Sequence, residues 1–245
     1  MSTKAKNKTS TIVVGAGIVG TAIAFRLAQA GQEVILVDRG DPGREASWGN
    51  AGHIATEQVF PLASPSTVLR APGLLLKSDG PLSIRPAYAL QIAPWLSRFT
   101  LASRPEPFRR GTAALAALQS RALESFVRLC ADSAIADQVH RRGHLILVEK
   151  HGSVATAKNN LATMQAQEIS GEWLEPAGVA ERAPDLRRDI AGALLFHDTS
   201  HVGDPYLVCK GIFDAFVAAG GTFAREDVVQ IEASKPRSCR VRTSD

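Results

Sequence analysis

Six residues near the start of the chain, Gly15-Ala16-Gly17-Ile18-Val19-Gly20, have the makings of a grip on two linked phosphates. Phosphate oxygens carry charge that backbone N–H groups can meet, and glycine lets a strand-to-helix turn approach closely enough to do so. Gly15 permits the tight turn, Gly17 removes a Cβ that would collide with a diphosphate, and Gly20 lets the helix lie against the strands. Asp38 stands eighteen residues beyond Gly20, where a carboxylate can accept ribose hydroxyls. That acid would repel a 2′-phosphate, although the adjacent Arg39 would favour one. A glycine-rich turn on its own is an ordinary loop, so the weight of the motif rests on its flanks.

Those flanks have the required pattern. Thr11–Val14 is a run of β-branched residues that reads as a short buried strand delivering Val14 to the turn. The glycines then open a helix expected to reach about Ala30, with Val19, Ile23 and Leu27 recurring every four residues to make one face apolar. Gly31 supplies the stop, and Glu33–Val37 is a second buried strand ending at Asp38. A nicotinamide-binding domain would continue into another helix and strand. Here the chain runs instead into Glu45-Ala-Ser-Trp-Gly-Asn-Ala-Gly-His-Ile54, small residues able to pass beneath a long cofactor such as FAD, or simply to form a surface loop.

Farther along, the stretches 40–54 and 61–107 are expected to hold no long regular helix, since the second carries eight of the thirteen prolines. Thr112 to about Ile135 reads as the longest helix, with Leu115, Leu118, Ala122, Phe126 and Leu129 along one side. His144–Val148 and Ala193–Phe196 are short strands with a helix over Val154–Ile169 between them, an α+β arrangement punctuated by Leu174-Glu-Pro and Ala183-Pro-Asp. Asp204-Pro205 opens another amphipathic helix, with Val208, Ile212, Phe216 and Ala219 inward and Gly220-Gly221 as its end. Thr222–Arg225, Val228–Ile231 and Cys239–Thr243 complete the chain as strands.

On the stretches TIVVGAGIVGTAIAFRLAQAGQEVILVDR, EASWGNAGHI, GPLSIRP, HVGDPYLV with its helix to AAGG, and REDVVQI, the sequence resembles a known family. It is similar to the D-amino-acid dehydrogenase (DadA-like) branch of the FAD-dependent D-amino-acid oxidase superfamily. The resemblance implies an α/β fold. In it, a Rossmann-like FAD-binding domain of the glutathione-reductase/D-amino-acid-oxidase type, residues 10–60 and 200–245, carries an inserted α+β substrate domain, residues 61–199. It implies that Val14, Gly15, Ala16, Gly17, Ile18, Val19 and Gly20 hold the pyrophosphate, with Asp38 and Arg39 on the ribose side. Ser47, Asn50, Ala51, Gly52, His53 and Ile54 would line the flavin, and the backbone of Val228 would meet the adenine. Val228 reads equally well as a β-branched core residue, and glutamine is frequent in the family where His53 stands.

The chemistry implied is oxidation of the Cα–N bond of a D-amino acid by hydride transfer to flavin N5, followed by hydrolysis of the imine to a 2-oxo acid and ammonia. Glycine, sarcosine or proline is the alternative substrate class. Proteins of the group continue past the point matching Asp245, so the fold is expected to be incomplete at the C-terminus, with an exposed sheet edge. A non-catalytic FAD-binding fragment that needs a second chain is therefore a further reading, and no catalytic residue is assigned. The electron acceptor is a membrane quinone or oxygen. Arg85 is one cation that could hold a substrate carboxylate.

Bulk properties exclude several other classes. The net charge of +4 is spread over the tail lysines Lys4, Lys6 and Lys8 and over pairs such as Arg109–Arg110, Arg141–Arg142 and Arg187–Arg188, with no stripe for nucleic acid. Cys130, Cys209 and Cys239 are widely spaced and odd in number, which predicts reduced thiols in the cytoplasm rather than disulfides or zinc. No signal peptide or membrane span is read, leaving peripheral contact with the inner membrane face as the expected membrane relation. His140/His144 and His197/His201 have helical metal-ligand spacing but fall in strand and turn contexts, so no metal is expected. Trp95 and Trp173 read as packing anchors.

Overall fold

The computed structural model describes residues 10–75, 84–186, 189–235 and 238–244. Lys4, Lys6, Lys8, Arg187–Arg188 and residues 80–83 of the GPLSIRP stretch lie outside these. In chain order the elements are β1 (Ser10–Val14), α1 (Ile18–Gln29), β2 (Glu33–Asp38), β3 (His53–Ile54), α2 (Pro65–Leu75), α3 (Ala89–Ala102), α4 (Pro105–Gln119), α5 (Ala122–Asp132), β4 (Val139–His140), β5 (His144–Val148), α6 (Val154–Gln165), β6 (Gly171–Leu174), α7 (Pro176–Arg182), β7 (Gly192–Phe196), β8 (Ser200–Val202), α8 (Pro205–Ala218), β9 (Thr222–Arg225), β10 (Val228–Lys235) and β11 (Ser238–Thr243). No helix among the described residues is long and apolar enough to cross a membrane.

Contacts divide the chain into two compact units. The first gathers the residues up to Ile54, Glu124–Arg142 and those from Ser200 on. β1 pairs in parallel with β2, and β2 with β9, giving the order β1-β2-β9. The apolar strands Ser10–Val14 and Glu33–Asp38 bury Val34 and Leu36 in a core they share with Ala24, Phe25 and Ala28 of α1 and Val208, Ile212 and Phe216 of α8. Full burial of a side chain such as Phe216 or Ile212 contributes roughly 1.5–3 kcal/mol. α8 begins as its sequence demands, with Asp204 Oδ1 accepting the Tyr206 and Leu207 amides and Pro205 in the first turn. A second small sheet has the order β3-β8-β4, and β10 pairs antiparallel with β11.

The apolar face expected on α1 is not the buried one. Val19 is 69% and Ile23 48% exposed, whereas Thr21, Ala24, Phe25 and Ala28 are buried. Ala24 and Ala28 have little bulk, so the helix can pack closely there. Val19 and Ile23 remain on the outer side, while Leu27 is half-buried against the same core.

The second unit comprises Ala55–Leu123 and Gly143–Thr199. β5 and β6 flank β7 in an antiparallel sheet whose central strand Gly192–Phe196 is wholly buried. Glu57, itself buried, pairs with His144 Nδ1 at 2.9 Å.

Two further expectations are corrected. The helix foreseen over 112–135 is two helices, α4 and α5, parted at Ser120 and Arg121. The two halves serve separate cores, Leu115 and Ala116 packing in one cluster and Phe126, Leu129 and Cys130 in another. Leu118, foreseen inside, is exposed. The proline-rich stretch does form helices, α2 with Pro72 and α3 with Pro94 inside them. Each proline removes one backbone bond, but the flanking Leu and Ala residues are strong helix formers and carry the remaining turns.

Candidate functional site

The glycine turn is held from three sides. Gly15 bends at φ +101°, a left-handed conformation suited to glycine, and its N–H donates to Val37 O at 2.7 Å. The Ala16 N–H donates to Asp38 Oδ2 at 2.7 Å, and the Gly40 N–H to Asp38 Oδ1 at 2.8 Å. Asp38 therefore fastens the turn as well as standing where a ribose would be met; each of its oxygens retains a lone pair for a hydroxyl. The Ala16 carbonyl accepts from the Gly43 N–H at 2.9 Å, from Thr21 Oγ1 at 3.2 Å and, more weakly, from Cys209 Sγ at 3.8 Å. Burial pushes the Cys209 thiol above its ordinary pKa, so it stays protonated and able to donate.

Glycine is required for space as well as conformation. A Cβ on Gly20 would overlap the Gly15 carbonyl, and one on Gly17 would come 3.2 Å from Ser47 Oγ. Ser47 Oγ in turn accepts the Ile18 N–H at 2.9 Å, at the start of α1, where the helix dipole favours an anion. Val19 opens outward from the same first turn.

The EASWGNAGHI run leaves this turn and becomes a wall. Asn50 Oδ1 accepts the Gly52 N–H at 2.8 Å, Gly52 O accepts the Val202 N–H at 2.9 Å, and His53 and Ile54 pair with His201 and Ser200 as β3. A Cβ on Gly52 would lie 2.8 Å from Val202 Cγ2, so close approach of the two segments depends on this glycine. Ile18, Ser47, Asn50, Gly52, His53 and Ile54 line a cavity of about 180 Å³ with Phe126, Val202, Pro205 and Val208. That is below the ~300–1,000 Å³ usual for a ligand pocket, so it can enclose only part of a cofactor as long as FAD.

Other expected residues take separate positions. Arg39 is exposed after β2, Ala51 is exposed in the loop, and Val228 is half-buried at the start of β10, opposite Thr243. The Glu226 N–H donates to Asp38 O at 2.9 Å, which carries the chain from β9 past the acid toward Val228. His201, foreseen in a turn, lies in β8, while His140 is in β4 and His144 in β5. Arg85 is exposed.

Sequence reasoning missed Thr21, Gly43 and Cys209 beneath the turn and four walls of the cavity. Val202, Pro205 and Val208 belong to the HVGDPYLV stretch, which carried a signal; Phe126 on α5 carried none. The donor set fits FAD: backbone amides and a hydroxyl where a diphosphate needs them, a carboxylate at the second strand's end, and a mostly apolar wall for a ring.

The family model described as FAD dependent oxidoreductase (DAO) matches residues 10–244. A protein of Ralstonia nicotianae named D-amino acid dehydrogenase 2 is 34% identical over 84% of this chain and 49% of its own length. A D-amino-acid oxidase of Bradyrhizobium diazoefficiens is 28% identical over 91% of this chain and 53% of its own. The crystal structure of glycine oxidase from Geobacillus kaustophilus superposes with a TM-score of 0.62 at 19% identity, covering 96% of this chain and 51% of that one. The chain thus spans about half the length of the curated relatives it matches. With a matching model over almost every described residue and a glycine turn, acid and wall that suit its cofactor, the chain belongs to the DAO family of FAD-dependent oxidoreductases.

Proposed function

We propose that this chain is the cofactor-holding part of an enzyme that oxidises the Cα–N bond of D-amino acids, giving a 2-oxo acid and ammonia after hydrolysis of the imine. The observation that carries the reading is the joining of the Gly15–Gly20 turn to the Ser47–Ile54 wall in one continuous site, in a chain 34% identical to a D-amino acid dehydrogenase. FAD, when bound, supplies the acceptor for the substrate's hydride.

The chain's own residues do the holding. The amides of Gly17, Val19 and Gly20 meet the diphosphate, those of Gly15, Ala16 and Ile18 being engaged by Val37, Asp38 and Ser47; Asp38 accepts ribose hydroxyls, and Arg39 flanks it. Asn50, Gly52, His53 and Ile54 exclude water from the ring, and Val228 offers backbone to the adenine. The cofactor domain expected over 10–60 and 200–245 takes in α5 and β4 as well, and the remainder of 61–199 is the substrate domain, where Arg85 is a cation for the substrate carboxylate.

Purification as a yellow protein whose flavin bleaches anaerobically with a D-amino acid is the expected result. Failure to take up FAD on reconstitution would sink it. Glycine, sarcosine and proline in the same assay separate the second substrate class, which the likeness to a glycine oxidase keeps in view.

A membrane quinone is the acceptor this reading favours over oxygen, with the protein cytoplasmic and peripheral at the inner face. α2 and α3 carry exposed Leu69, Leu90 and Trp95, and their charged residues are Arg70 and Arg98, a combination suited to anionic lipid. Co-sedimentation with phosphatidylglycerol vesicles but not with neutral ones is expected. A second reading, a fragment completed by another chain, draws on the half-length match. It predicts FAD uptake without reduction by any amino acid until the complementary polypeptide is added.

A further inference from the structure

Residues 43–48 have no strand or helix of their own, yet they touch the glycine turn twice, through the Gly43 N–H on Ala16 O and through Ser47 Oγ beneath the Ile18 N–H. Something must hold so short an irregular segment at both points. The guanidinium of Arg44 lies 4.2 Å from the centroid of the Trp48 ring and 4.1 Å from that of Tyr206, and the two rings are 4.8 Å apart. Trp48 follows Ser47 directly. Tyr206 sits in the first turn of α8, three residues before Cys209, whose thiol reaches the same Ala16 carbonyl.

We propose that Arg44 is a positioning residue for the diphosphate end of FAD, its bracketing by Trp48 and Tyr206 holding the 43–48 segment against the glycine turn. The inference rests on FAD being the cofactor and adds a residue that the glycine motif does not contain. A guanidinium can serve because it is planar, permanently charged and weakly hydrated, so it stacks on aromatic faces where a lysine ammonium cannot. Loss of the bracket frees Ser47 to move from the Ile18 amide, which disorders the start of α1 where phosphate oxygens must arrive.

The test is a titration of the purified chain with FAD and separately with ADP and riboflavin, alongside the melting temperature of the cofactor-free protein. Arg44→Ala is expected to weaken FAD and ADP alike by about tenfold, the size of two exposed cation–aromatic contacts, with riboflavin affinity unchanged and the apo protein still melting cooperatively, a few degrees lower. Tyr206→Leu should reproduce that loss, the Arg44→Ala/Tyr206→Leu double variant should add nothing further, and Arg44→Lys should restore only part. Equal affinity of Arg44→Ala and the parent for ADP would overturn the proposal. So would loss in Arg44→Ala but not in Tyr206→Leu, which would mean that the guanidinium meets phosphate directly. If the parent binds no FAD, the cofactor reading itself fails, a separate result.

Discussion

At Ala16 both backbone polar groups of one residue meet named partners, three of the four from segments far apart in sequence, whereas α2 and α3 leave Leu69 82% and Leu90 89% exposed. The first region is fixed by directional bonds and by the absence of side chains, so its tolerance for change is measured in tenths of an ångström. The second is held largely by its own helical bonds, and its side chains answer to few neighbours. Precision is concentrated at the glycine turn, the place proposed for a diphosphate, and the difference can be tested by making matched changes in both places.

The largest contrast is expected between two glycines. Gly20→Val places atoms where the Gly15 carbonyl already sits, so FAD affinity should fall by more than a hundredfold, read by titration. Gly73, inside α2, has open space at its Cβ position, so Gly73→Ala should instead stabilise by up to about 1 kcal/mol through helix propensity. Loss of stability in Gly73→Ala would break the comparison.

Next come two apolar side chains. Phe216 is fully buried between α1 and the sheet's core cluster, and Phe216→Ala should cost about 3–5 kcal/mol in chemical denaturation. Leu90→Ala should change stability by no more than about 0.5 kcal/mol while reducing vesicle binding.

A smaller effect sharpens the picture of the first unit through pH. Burial pushes the Cys130 thiol up to about 11 from 9.0, so the folded chain keeps a proton that the unfolded chain loses first. Its stabilisation is whole below pH 9.0 and declines as pH rises from there to about 11. Denaturation midpoints measured across that interval should fall, and Cys130→Ala should flatten part of the slope. The smallest effect is expected in native-state alkylation, which should label exposed Cys239 and spare buried Cys130 and Cys209.

How far the sequence could be read follows from the range of the interactions involved. Gly15, Gly17, Gly20, Asp38 and the Asp204-Pro205 cap act within a few residues or across one β-α-β unit, so their places in the turn, at the strand end and at the helix start were legible. β3, β4 and β8 are two or three residues long, too short for alternation to show. The break between α4 and α5 was hidden because leucine and alanine continue the helical period through it, and only the presence of two cores separates them. Val19 and Ile23 misled for the reverse reason: apolar periodicity names a face but not the neighbour, and the residues that pack are Thr21, Ala24, Phe25 and Ala28. Thr21 and Cys209 look like unremarked helix positions until distant chain folds onto them.

The bond from Cys209 to Ala16 spans 193 residues, and it has a temporal meaning. A ribosome adding about 5–20 residues per second would need roughly 10–40 s after making the phosphate turn before the cysteine beneath it emerged. Nascent chains should therefore acquire their flavin late, and anything that shelters the first fifty residues in that interval would raise the yield of loaded protein.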